Sequence, residues 1–247
     1  MKKALLFLVL AMLLSICTTA IAADSYTIAL ITMDSMDQHW LKVKAGAEEA
    51  VAELVAAGND VKLVFDAPST KVDSVVQASM VENQITNKAD AIMVAPMDAE
   101  ALAPAIEAVY DAGIPMILID TLANTKKFQV IYQTDNGAAA RTAAQELGKL
   151  LGGKGKIAII NAQAGSQTTM TREGDFRDEM AKAFPDIEIV GVQYCDGDKQ
   201  KALNYAEDFM MQTPDLAGFY ACNEGSTVGT GNAVDQAGKA GTIKVVG

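Results

Sequence analysis

From Tyr26 to Gly247, short runs rich in β-branched residues alternate with longer stretches at a regular interval, and few folds accommodate that alternation. The runs are YTIALIT (26–32), VKLVFD (61–66), AIMVA (91–95), PMILID (115–120) and QVIYQT (129–134), followed by KIAII (156–160), EIVGVQYC (188–195), LAGFYAC (216–222) and IKVVG (243–247). Alanine-rich segments with helical spacing separate the first four. Strand starts fall roughly 25–35 residues apart, the length of a β-α-β unit. The runs are apolar almost throughout instead of alternating with polar residues, as expected of parallel strands covered on both faces. The pattern predicts an α/β protein of two doubly wound parallel-sheet lobes in tandem. The expected division is a signal segment at 1–22, an N-terminal lobe at 23–135 and a C-terminal lobe at 136–247. The boundary lies at TDNG (134–137), where Asp135 can cap the next helix. The sequence stops at VVG inside a predicted strand, so the second lobe is expected to be incomplete and the chain a fragment.

The N-terminus has a different character. Lys2 and Lys3 precede ALLFLVLAMLLSI, an uncharged apolar run too short to span a bilayer, and Ala20-Ile21-Ala22 supplies a small-residue cleavage site. Export through a cleaved signal is expected, with Ala23 as the mature start and a periplasmic or otherwise extracytoplasmic destination. LSIC offers a rival, lipid anchoring at Cys17, although Ile16 is bulkier than such a motif wants. Cleavage removes only two charged residues, so the net charge moves from −11 to −13. A chain this acidic is repelled by phosphate backbones and anionic headgroups, which argues against nucleic acid as a partner.

Several chemical signatures fail on inspection. Gly148 to Lys154 (GKLLGGK) has phosphate-loop spacing, but Gly155 replaces the required hydroxyl residue, and the segment runs from helix to strand. A glycine-rich helix stop is the plainer explanation. Gly229-Thr230-Gly231 lacks the third glycine of a dinucleotide loop, and close helix packing accounts for it. CDGDK (195–199) lacks the third acidic ligand and the glycine spacing of a calcium loop and reads as a strand end before an Asp-capped helix. With His39 as the only histidine, no zinc site is evident, and no nucleophile has an obvious base unless His39 serves. No catalytic residue, metal or cofactor is expected.

The positive evidence is positional. Ligands of open parallel sheets bind beyond the carboxyl ends of the strands. Residues at those places are Asp34 and Asp37 to Trp40 after the first strand, Asp66, Met97-Asp98 and Asp120-Thr121. In the second half they are Asn161, Gln163, Ser166, Gln167, Asp196 and Asn223-Glu224, with Arg172 early in the following helix. Carboxylates, amides and hydroxyls beside an aromatic face suit a small polyhydroxylated ligand. Trp40 admits a second reading, because Trp40, Val43, Ala47, Val51 and Leu54 fall at helical spacing and form a candidate core stripe.

These segments also resemble a known family. YTIALITMDSMDQHWLKVKAGAEEAVAEL, GIPMILID, YQTDNGAAARTAAQEL, TREGDF, TPDLAGFYACNEG and IKVVG are similar, in order and spacing, to the ribose/galactose-type periplasmic sugar-binding proteins. These are the type I solute-binding components of ATP-driven (ABC) importers. The resemblance implies two lobes joined by hinge crossovers and closing over a monosaccharide, a monomer that hands its cargo to a membrane permease, and no enzymatic turnover. It places ligand contacts at Asp37, Asp120, Arg172 and Asn223, stacking rings at His39 and Trp40, and the first hinge crossover near Asp135 and Asn136. Ribose-type members carry an arginine where this chain has Thr121. A second-lobe aromatic aligns with Gly197, for which Tyr194 is a possible substitute. A receptor for a sugar-like signal on the same scaffold is the alternative, and a secreted sugar-acting enzyme a more distant one. A 2-1-3 strand order would set Cys195 and Cys222 on either side of KIAII, roughly 9.5 Å apart, so free thiols are expected.

Overall fold

A computed structural model describes residues 25–69 and 73–247. The expected signal segment at 1–22 and Cys17 lie outside the described residues. Among those described, no helix is long and apolar enough to cross a membrane.

Two parallel sheets follow one another along the chain. The first contains β1 (Ser25–Ile31), β2 (Asp60–Asp66), β3 (Ala91–Val94), β4 (Met116–Ile119) and β5 (Val130–Tyr132), in the order β2-β1-β3-β4-β5. Its crossover helices are α1 (Gln38–Ala56), α2 (Ser74–Thr86) and α3 (Ala103–Asp111). The second sheet contains β6 (Lys154–Asn161), β7 (Asp186–Tyr194), β8 (Leu216–Ala221) and β9 (Lys244–Val246), ordered β7-β6-β8-β9. It is served by α4 (Asn136–Leu150), α5 (Gln167–Ala183), α6 (Lys199–Gln212) and α7 (Glu224–Gln236). Every strand pairing is parallel. Each predicted run became a strand; β1, β2, β6 and β7 begin one or two residues earlier than expected, β6 also runs one residue further, and the other runs are trimmed, that over 129–134 to Val130–Tyr132.

The core explains why the strands are apolar on both sides. Successive side chains of β6 point to opposite faces. Ala158 and Ile160 join Ala202, Ala206, Phe209 and Ala233 of α6 and α7. Ile157 and Ile159 instead join Ala144 and Leu147 of α4 and Phe176 and Met180 of α5. On that second face Phe176 stacks on Tyr220, with ring centroids 3.9 Å apart. In the first sheet Ala29, Ile31, Ile92, Val94 and Leu118 pack against α2 and α3.

Helix starts are set by short polar side chains. Asp37, Asp73, Asp135, Asp198 and Asn223 each accept a hydrogen bond from a first-turn N–H, satisfying a donor the helix cannot use. GKLLGGK is a helix stop, with Gly152 and Gly153 at φ +66 and +79, angles that glycine adopts without strain. At Gly229 a side chain would overlap the Lys199 carbonyl and the Ala202 methyl, so α6 and α7 can approach only because the residue is glycine. The stripe expected along α1 is graded. Trp40 is buried, Val43, Ala47 and Val51 are half-buried, and Leu54 is 43% exposed, because α1 lies over the edge strand β2. The free, buried Cys195 and Cys222 follow β7 and β8 on either side of β6, as the strand order predicts.

Candidate functional site

The carboxyl ends of both sheets face a cavity of about 140 Å³. Each wall comes from residues that begin just past a strand. Asp34, Asp37, His39 and Trp40 follow β1, and Asp120 follows β4. Opposite them stand Gln163, Ser166, Thr168, Thr169 and Arg172 after β6, Asp196 and Gly197 after β7, and Asn223 and Glu224 after β8.

The first wall is built around a loop that ends in a helix cap. Asp34 Oδ1 accepts the N–H groups of Met36 and Asp37, which turns the chain. Asp37 then accepts from His39 N at 3.0 Å and starts α1. The start of the helix carries His39 and Trp40, whose rings meet edge-to-face at 4.5 Å between centroids. Trp40 is 5% exposed, so the indole serves both as the first core residue of α1 and as a cavity wall. His39 remains half exposed, with Nε2 3.4 Å from Asp120 Oδ1. That contact raises the imidazole pKa above its usual value, with further help from the Asp120 and Asp37 charges, while burial and Arg172 oppose it.

Asp120 has φ +64, a left-handed conformation that costs a non-glycine residue about 1 kcal/mol or more. Hydrogen bonds on both sides hold it there. Its N–H donates to Tyr132 O at 2.8 Å, and its carbonyl accepts from Thr168 Oγ1 at 2.8 Å. The second of these joins the two sheets, as does Ala99 N donating to Gly165 O at 3.0 Å. Thr121 is fully buried and accepts from Thr168 N at 3.4 Å.

On the second wall, Arg172 donates from Nε to Asn136 Oδ1 at 2.8 Å and from Nη1 to the Cys222 carbonyl at 2.7 Å. Asn223 caps α7 through a reciprocal pair with Ser226. Glu224 reaches across to hydrogen-bond Asp37 and pairs with Lys199 at 2.9 Å, and these two contacts hold its carboxyl below the usual range. Asp135 caps α4 and Asn136 is its buried first residue, directly after the link from β5.

The structure therefore brings Asp37, His39, Trp40, Asp120, Arg172 and Asn223 to one cavity and sets Asp135 and Asn136 behind it. Other strand-end residues go elsewhere. Asn161 spends its amide on Ala162 N and Glu173, and Asp66 accepts from Ala67 N at the edge of the first sheet. Tyr194 does not substitute for the missing aromatic. Its hydroxyl donates to Glu173 Oε2 at 3.1 Å, outside the cavity lining, whereas Gly197 lies on the wall. Thr168 and Thr169 were not singled out by the sequence, since nothing local distinguishes them from other helix threonines. Burial raises the pKa of both cysteine thiols, that of Cys195 to about 11, which removes them as nucleophiles. Among the described residues no cluster of three or more His, Cys, Asp or Glu side chains could hold a metal ion.

Comparison with known proteins gives a consistent pattern. The sequence profile of the periplasmic binding protein domain matches residues 28–247. The chain is 29% identical over 226 residues to the D-ribose/D-allose-binding protein of Pseudomonas aeruginosa, covering 89% of this chain and 69% of that protein. It is 28% identical over 193 residues to the xylitol-binding protein of Mycolicibacterium smegmatis, covering 78% of this chain and 54% of that protein. Among solved structures, an ABC transporter solute-binding protein from Agrobacterium vitis with bound D-fucose superposes with a TM-score of 0.84 at 33% identity. That superposition covers 89% of this chain and 75% of the A. vitis chain.

Proposed function

The chain belongs to the periplasmic binding protein domain family, and on that premise we propose that it is an extracytoplasmic solute-binding protein. It captures a monosaccharide-like ligand and delivers it to the membrane permease of an ABC importer. The observation that carries this reading is the convergence of carboxylates, amides, hydroxyls and one indole, from the strand ends of two sheets, on one cavity.

Asp37, Asp120, Arg172 and Asn223 hydrogen-bond the hydroxyls of the ligand, while Trp40 and His39 offer flat faces to its C–H side. The loss of one stacking partner at Gly197 leaves the aromatic wall on one side of the ligand. Hydrogen bonds to charged groups contribute about 1.5–3 kcal/mol each. A few of them with stacking reach the roughly −8 kcal/mol of micromolar affinity.

The division at Asp135 separates an N-terminal lobe (23–135) from a C-terminal lobe (136–247), and the link around Asp135 and Asn136 acts as a hinge. Both lobes supply contacts, so the ligand binds the closed arrangement better and shifts the population toward it. The acidic chain works as a monomer, after export directed by residues 1–22, and needs no cofactor.

Calorimetry with D-ribose, D-allose, D-fucose, D-arabinose and xylitol tests the proposal on the wild type, Asp120→Ala and Arg172→Ala. At least one of these should bind the wild type at micromolar concentration or below and be lost in both variants. Absence of binding across the panel would count against the function, and binding that survives both substitutions would overturn the site.

A further inference from the structure

Of the chain's three arginines, two are neutralised by carboxylates. Arg141 pairs with Asp175, and Arg177 pairs with Glu173 at 2.9 Å. Arg172, which lines the cavity, is held differently: its Nε and Nη1 donate to two neutral oxygens, Asn136 Oδ1 and the Cys222 carbonyl. A guanidinium presents its five donors in a rigid plane, so anchoring two nitrogens fixes the direction of all the others. Neutral acceptors do this without cancelling the positive charge. The arginine is thus aimed but its charge is left available to the cavity.

Asn136 is suited to this task by its place in the chain. It is 6% exposed and opens α4 immediately after the link between the sheets. Its Nδ2 donates back to the Thr134 carbonyl, within that link, at 3.0 Å. A single side-chain amide therefore joins the backbone of the link on one side and the cavity arginine on the other. The Cys222 carbonyl precedes Asn223, so the same guanidinium also touches the strand end that carries another cavity residue.

We propose that Asn136 is a positioning residue for ligand capture, locking the Arg172 guanidinium to the link so that the grip on the ligand and the geometry of the link move as one unit. An aspartate there would hold the same nitrogen but neutralise it, and an apolar residue would release it. The importance of this lock for binding rests on the reading of Arg172 as a ligand contact. The lock itself does not.

The experiment has two arms. In ligand-free protein, hydrogen exchange of the arginine Nε–H groups is followed by NMR, and three arginines make assignment simple. The Arg172 Nε–H should be protected in the wild type and in Asn136→Asp, and exchange at least about tenfold faster in Asn136→Leu, because the acceptor is gone. Asn136→Ala provides a second truncation if the leucine variant does not fold. In the other arm, D-fucose binding is followed by Trp40 fluorescence in a stopped-flow instrument. Asn136→Leu should raise the dissociation rate about tenfold while leaving the association rate within twofold. The same substitution in an Arg172→Lys background should cost nothing further, since lysine lacks Nε. Unchanged Nε–H protection in both truncations would overturn the lock, and an equal loss in the Arg172→Lys background would overturn its action through Arg172. Failure of D-fucose to bind the wild type would bear on the proposed function and leave the exchange arm intact.

Discussion

His39 Nε2 stands 3.4 Å from Asp120 Oδ1, so the chain's only imidazole and a carboxylate held in a left-handed backbone conformation form one pair on the cavity wall. The pair raises the imidazole pKa above 6.5 in the folded protein, mainly through this hydrogen bond. A group whose folded pKa exceeds its unfolded value stabilises the fold fully below the unfolded pKa, and that contribution disappears as pH rises through the folded pKa. Stability from this pair is therefore fully present below about pH 6.5 and is lost as pH rises beyond that through the raised folded-state value. An NMR titration of the single histidine should give a midpoint above 6.5 in the wild type and a lower one in Asp120→Asn. A midpoint that does not move with the substitution would show that Asp120 is not the cause.

Gly165 tests how the sheets meet. Its carbonyl accepts from Ala99 N, and a Cβ on it would overlap the Asp98 carboxylate. Asp98 cannot easily swing aside, because Oδ1 already accepts from Glu100 N and Ala101 N. Gly165→Ala should therefore weaken ligand binding about tenfold, in line with the roughly 1–3 kcal/mol cost of overpacking, with little change in Tm. Calorimetry and a thermal melt read the two effects separately. Equal affinity in the variant would mean that this contact does not form part of the bound state.

The two glycines of GTG should respond with opposite signs. Gly229→Ala drives a methyl into the Lys199 carbonyl and should cost about 1–3 kcal/mol, lowering Tm by several degrees. At Gly231 nothing lies within 4 Å, and the residue sits inside α7, so Gly231→Ala should stabilise by up to about 1 kcal/mol. Paired thermal melts decide the matter, and a stabilising Gly229→Ala would refute the close packing of α6 on α7.

Cys195 and Cys222 are free and almost fully buried. Protein beginning at Ala23 should show no rapid reaction with a thiol reagent when native, and two equivalents in denaturant without reductant. Fewer than two would indicate a disulfide that this strand order does not permit.

Much of this architecture was legible because it rests on local periodicity. Apolar runs broken at even intervals leave little choice but parallel sheets, and the rule placing ligands at strand carboxyl ends then puts His39, Trp40 and Asp120 among a larger set of candidates, which the family resemblance narrows. What could not be read depends on the placement of one sheet against the other. Glu224 meets Asp37, and Thr168 meets Asp120, only because two distant segments are brought together. Tyr194 and Gly197 show a finer limit. Three residues apart at the end of the same strand, they diverge because the last strand residue bonds Glu173, while the turn at Asp196 and Gly197, both at positive φ, lines the cavity. A helical stripe also cannot announce how much of it will be covered, as Leu54 on α1 shows.

The cavity residues stand past the strand ends, whereas the fully buried side chains that hold the sheets together lie along the strands and helices between them. Selection can therefore act on cargo and on foldedness almost independently. A new solute calls for a few exchanges at loop positions, each tolerable on its own, and leaves untouched the apolar cores that keep the chain folded. A lineage built on this frame can drift from one nutrient to another through intermediates that remain stable throughout.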